Sequence, residues 1–123
     1  MAAENTAVPT SIGALDRRHA TTAAARTLPL PVGNLAAPVL AHGSMLVEHY
    51  APRGVDTQQS HTRDELYVVI AGTGSFVNGE TRHPFGPGDM IFVPAGVAHR
   101  FEDFSDDFAT WVIFYGPEGG EAN

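Results

Sequence analysis

The chain has no cysteine and no lysine among its 123 residues. The first absence excludes disulfides, thiolate nucleophiles and sulfur-bound metals, and the second excludes Schiff-base chemistry on a lysine amine. Positive charge comes from seven arginines alone, against 14 acidic residues, for a formal charge of −7. Such a balance cannot build a surface that tracks phosphates, so neither nucleic acid nor anionic membrane is an expected partner. Long apolar runs are missing too: none reaches the roughly 18 residues that span a bilayer. The start, MAAENTAVPTSIGALDRRHATTAAARTL, lacks the basic beginning and apolar stretch of a secretory signal, and a cytoplasmic location is expected. Any catalysis must draw on His, carboxylate, Tyr, Ser or Arg.

What is present points to β structure. Apolar residues make up 43% and charged residues 17%, while 13 Gly and 9 Pro in so short a chain imply many turns and few long helices. The length suits one domain. Residues 1–35 are rich in Ala and Thr without strand-like alternation and are expected to form an arm, with a weak helix from Ser11 to Arg26 capped by Ser11 and stopped by Pro29 and Pro31. Residues 36–116 carry short apolar runs broken by turn residues, the pattern of an all-β sandwich or barrel. Expected strands are 44–50, 65–72, 74–78, 80–85, 89–94, 98–103 and 109–115. Asn78-Gly79 reads as the centre of a type I′ hairpin turn and Gly86-Pro87-Gly88-Asp89 as a second tight turn. Residues 117–123 are expected to fray.

Chemistry concentrates in TQQSHTRDELYVVIAG, residues 57–72. If alternation holds, Gln59 and His61 share a face, as do Glu65, Tyr67 and Val69, and later His99 and Phe101. Two imidazoles, one carboxylate and an amide oxygen suit a divalent first-row metal. Periodicity alone does not make these faces converge.

Here the sequence resembles the cupins, in particular small single-domain ones, over about residues 38–116. Their first motif, G-x5-H-x-H-x3,4-E-x6-G, is approached by Gly54, Gln59, His61, Glu65 and Gly72. Their second, G-x5-P-x-G-x2-H-x3-N, is matched in GDMIFVPAGVAHRFED by Gly88, Pro94, Gly96, His99 and Asp103. Glutamine replaces the first histidine, the glycine before it stands one residue nearer, and Asp103 replaces the closing Asn. Phosphomannose isomerases with cupin-type sites also use a Gln-x-His pair. The resemblance implies a jelly-roll, double-stranded β-helix barrel in which Gln59, His61, Glu65 and His99 bind Fe, Mn, Ni, Co or Zn. It also implies pairing into homodimers and a small-molecule substrate, with dioxygenase, isomerase or lyase chemistry all within the family's range.

Plainer readings stand beside these. His61, Glu65 and His99 would also suit a polar strand face without metal, and Gln59 a solvated amide, with Gln58 taking its place if the strand bulges. His49 and Tyr67 are candidate catalytic residues, although His49 and Tyr50 on the 44–50 strand are more often core-edge residues than site residues. His19, His42 and His83 are expected in solvent, Arg53, Arg63 and Arg100 in surface ion pairs. The aromatic run Phe101, Phe104, Phe108, Trp111, Phe114 and Tyr115 reads as barrel wall and dimer contact, and Asp103, Asp106 and Asp107 as a polar loop. A DNA-binding regulator is disfavoured, because Arg17, Arg18 and Arg26 lie in no helix-turn-helix pattern. The rival to an enzyme is a binding module for sensing or storage.

Overall fold

Apolar residues at every second position let a strand bury one face, as in Asp64–Ala71, Met90–Val93 and His99–Glu102 of the eight strands among the described residues. The computed structural model describes residues 15–30 and 35–122. Its strands are β1 (Ala36–His42), β2 (Met45–Tyr50), β3 (Asp64–Ala71), β4 (Gly74–Asn78), β5 (Thr81–Phe85), β6 (Met90–Val93), β7 (His99–Glu102) and β8 (Ala109–Tyr115). They form a five-stranded sheet in the order β1-β2-β8-β3-β6 and a three-stranded sheet in the order β5-β4-β7. Every pairing is antiparallel. This is the all-β jelly roll expected above.

Register states which residues face the interior, because directly paired residues share a face. Leu46, Phe114, Glu65 and Val93 lie in one row across the large sheet, and Glu48, Val112, Tyr67 and Ile91 in the next. From the small sheet, Asn78 pairs with Thr81 and His99, and Phe76 with His83 and Phe101. The two inner faces meet in an aromatic core. Phe101 lies 4.6 Å from Phe76, 4.6 Å from Phe108 and 4.9 Å from Tyr67, centroid to centroid. Burying each such ring stabilises the fold by about 1.5–3 kcal/mol.

Glycine is required where β3 turns into β4. Gly72 has φ +92°, and a Cβ there would stand 2.5 Å from the Phe108 Cα, so no side chain fits.

The structure departs from expectation in several places. β1 was not among the expected strands, since Pro38 interrupts its apolar run. Proline is tolerated here near a register shift between Pro38 and Leu40. Of the expected helix, residues 11–14 lie outside the described residues. Within the rest only Thr22–Ala25 is helical, with Thr21 as its N-cap. The arm also runs beside β1, where Asp16 bridges Leu40 and the Ala41 amide donates to the Leu15 carbonyl at 2.9 Å. The β4–β5 hairpin pairs Asn78 with Thr81, so its central residues are Gly79 and Glu80, and only Gly79 has positive φ. That is a type II′ pattern rather than I′. The Gly86–Asp89 turn is present, closed by the Asp89 amide on the Gly86 carbonyl at 3.2 Å. The final segment, expected to fray, is tied down. Gly119 donates to the Thr62 carbonyl at 2.7 Å, and Glu121 to the Asp64 carboxylate at 2.8 Å.

Candidate metal centre

Three of the expected ligands meet at one end of the barrel interior. Glu65 enters from β3 and His99 from β7, each at an inward position, and His61 approaches from the irregular segment before β3. One donor atom from each of the three lies within 4.8 Å of the others. Glu65 Oε1 stands 2.9 Å from His61 Nδ1 and 2.9 Å from His99 Nε2. Glu65 and His99 are buried, while the His61 side chain is 32% exposed and rims a cleft of about 450 Å³ with Ser60, Thr62, Ala95, Gly96, Glu118 and Gly119.

The imidazole of His99 is oriented by its other nitrogen. Nδ1–H donates to the Val97 carbonyl at 2.9 Å, which turns the Nε2 lone pair toward Glu65. Despite the short distance, His99 Nε2 is not aligned for a hydrogen bond, and it and Glu65 Oε2 are buried without one. The Nε2 lone pair and the Glu65 Oε1 acceptor, 2.9 Å apart, repel unless a cation or a proton lies between them. The donor set therefore fits a divalent transition ion, and the fit rests on these orphaned atoms as well as on ligand type. Burial works against a charged His99, but Glu65 and the Val97 carbonyl outweigh it and raise its pKa. Burial likewise disfavours the Glu65 carboxylate, and the two histidines overcome that and lower its pKa.

The remaining candidates divide. Gln59 is exposed, and the segment around it is not a strand, so alternation does not apply to it. Its neighbour Gln58 turns inward instead, accepting from the Tyr67 hydroxyl at 3.0 Å and donating to Asp56 Oδ2 at 2.7 Å. Asp56 is a buried hub that also accepts from Tyr50 Oη at 2.5 Å and from the Phe101 amide at 2.9 Å. Tyr67 is fully buried between this network and His99, 6.1 Å away by ring centroids, and burial holds its phenol well above the usual range. His49 faces away from the interior, paired with Trp111 on the outer side of the sheet and bonded to Thr22 of the arm at 2.7 Å. It is not part of the site. His83, expected in solvent, is half-buried on the inner face, 5.9 Å from Phe76. Asp103 is exposed at φ +52°, so the motif position it fills answers to backbone conformation, which Asp and Asn tolerate.

One inward carboxylate escaped the sequence reading. Glu48 of β2 shares the row of Val112 and Tyr67 and is half-buried. Burial raises its pKa, with His61 opposing and Glu65 adding to the effect. Its place two residues before Tyr50, on the same face, was the available signal.

A double-layered antiparallel barrel with a His-Glu-His cluster inside one end defines a cupin. The cupin domain family matches residues 46–115, more than half of the chain, and the protein belongs to that family. An uncharacterized protein of Streptomyces coelicolor is 38% identical over 63 residues, covering 51% of this chain and 60% of that one. The dimethylsulfoniopropionate lyase DddQ of Ruegeria pomeroyi is 30% identical over 69 residues, covering 54% of this chain and 34% of the lyase. The match thus spans less than two thirds of either relative. Among solved structures, a double-stranded β-helix protein of Klebsiella pneumoniae aligns with TM-score 0.64 at 14% identity, over 80% of this chain and 89% of that one. A cupin 2 barrel protein of Salinispora arenicola aligns with TM-score 0.59 at 18% identity, over 72% and 82%. These likenesses concern the fold.

Proposed function

We propose that this protein is a metal-dependent cupin that acts on a small molecule at the barrel mouth, with His61, Glu65 and His99 holding one divalent transition ion. The observation that carries this reading is that one ligand atom from each of His61, Glu65 and His99 lies within 4.8 Å of the others while Glu65 Oε2 and His99 Nε2 are buried without a hydrogen bond. A bound Fe, Mn, Ni, Co or Zn ion would supply Lewis-acid polarisation of a substrate carbonyl or carboxylate, and iron could also engage oxygen. The protein's own contribution is positional. Val97 fixes the His99 ring, Tyr67 and the Asp56 network back the site, and the half-exposed His61 leaves one side open to the cleft. Of the oxygenation, isomerisation and lyase chemistry in the family's range, lyase chemistry is also that of the DddQ relative. A binding module for sensing or storage would use the same ligands without turnover.

Metal analysis of the purified protein, followed by oxygen-consumption and lyase screens with the bound metal, tests the proposal. About one ion per chain supports it. No site tighter than millimolar for any of the five metals overturns it.

Two copies are also proposed to pair through the outer face of the large sheet. Val47, Ile113, Leu66 and Phe92 form one outward row, and Trp111, Val68 and Met90 continue another beyond His49. Met90 is 65% exposed and Phe92 43%, a poor arrangement for an isolated surface.

A further inference from the structure

Every strand position that faces the barrel interior is apolar, aromatic, hydroxylated, acidic, amide or imidazole. None is arginine. Arg82 and Arg100 both pair with Val77, on the opposite face of the small sheet from Phe76, and both contact Glu102 outside the barrel. With no lysine in the chain, the inner strand faces offer no permanent cation to a ligand.

Against that background Glu48 stands out. Its row places it inward beside Val112 and Tyr67, one row from Glu65. Asp56, the other carboxylate buried behind the site, accepts from Tyr50, Gln58 and Phe101, and Glu65 is shared by two histidines. The Glu48 carboxylate has no hydrogen bond or ion pair with another side chain among the described residues, and its oxygens are not sealed from solvent. A half-buried carboxylate that still reaches solvent on the inner face is open to a donor from a ligand.

We propose that Glu48 is a substrate-contacting residue that receives a hydrogen-bond donor of the ligand, a hydroxyl or an ammonium, while the His61, Glu65 and His99 cluster holds the ligand's other end. This rests on reading the same interior as the ligand site. A ligand with an anionic group at the end that reaches Glu48 would be repelled there, because no arginine or lysine lies on the inner strand faces, so such ligands are selected against.

Three small carboxylates that differ only at the far carbon test it: propionate, 3-hydroxypropionate and β-alanine. Binding is followed by NMR in metal-free and zinc-loaded protein, for wild type, Glu48→Gln and Glu48→Leu, with circular dichroism as the check on folding. In wild type, the hydroxyl and ammonium probes should bind about tenfold tighter than propionate, the advantage expected of a charge-assisted hydrogen bond. Glu48→Gln should lose the ammonium preference and keep part of the hydroxyl preference, and Glu48→Leu should lose both. Equal affinity of the three probes in wild type, or a preference that survives in Glu48→Leu, overturns the proposal. A protein that binds no zinc refutes the metal reading, while the probe comparison in metal-free protein still decides the role of Glu48.

Discussion

The hydroxyl of Tyr67 donates to the amide oxygen of Gln58 at 3.0 Å, joining the barrel interior to the segment that carries His61. The other end of that amide is fixed by Asp56 at 2.7 Å. Removing it leaves one phenol and one carboxylate short of a partner in a buried place. Gln58→Ala should therefore destabilise the fold by about 1–3 kcal/mol. The exposed neighbour offers the control: Gln59→Ala should change stability by less than about 0.5 kcal/mol. Urea denaturation of both variants decides, and equal effects would show that the amide network does not contribute.

His99→Ala should abolish tight metal binding, weakening it by more than the roughly 10–100-fold typical of outer partners, while β-sheet circular dichroism persists. The strand ladder of β7 with β4 does not depend on the side chain. Loss of the β signal in a protein whose parent binds no metal would make His99 a packing residue.

Gln59→His should leave metal affinity nearly unchanged, because the side chain at that position points to solvent. Tighter nickel or zinc binding by calorimetry would mean that the segment rearranges to bring position 59 to the ion.

Gly72→Ala combines a left-handed backbone with a Cβ driven into the Phe108 backbone. Strain and overpacking together should cost about 2–6 kcal/mol. A melting temperature close to wild type would show that the β3–β4 turn can shift.

Glu102 is held by Arg100 and Arg82, which lower its carboxyl pKa below the ordinary range. The sign follows from the folded form being the stronger acid: any stability the cluster adds is present above the unfolded glutamate pKa of about 4.3 and is lost as pH falls through the lower folded value. Carboxyl NMR titration should place Glu102 below ordinary glutamates, with the value rising in Arg100→Ala and in high salt. A normal value in wild type would mean that the ion pairs do not persist in solution.

The strands were legible because alternation is a local property. Tyr67-Val68-Val69 or Phe76-Val77 need no distant partner to declare their period, and the second-motif residue His99 lies on such a regular strand, β7. The same reasoning failed at Gln59, since residues 57–61 form no strand and the chain there follows the Asp56 hydrogen bonds instead. Of the two readings of His49, the core edge is the one its place fits, buried against Trp111 and bonded to Thr22 of the arm. Glu48 was overlooked. A carboxylate in an apolar strand reads as an outward residue until the register with Val112 turns it inward.

His61 differs from its two companions in what holds it. Glu65 and His99 ride on ladders of backbone hydrogen bonds, whereas the His61 segment is pinned by the Gly96 amide on the His61 carbonyl at 2.7 Å and the Gly119 amide on the Thr62 carbonyl at 2.7 Å. The cluster thus has two fixed jaws and one on a short tether. If the proposed ion is bound, adjusting the grip to its radius would fall to the His61 jaw rather than to the sheets, and a site so held would choose among metals less by the shape of its cage than by which is supplied.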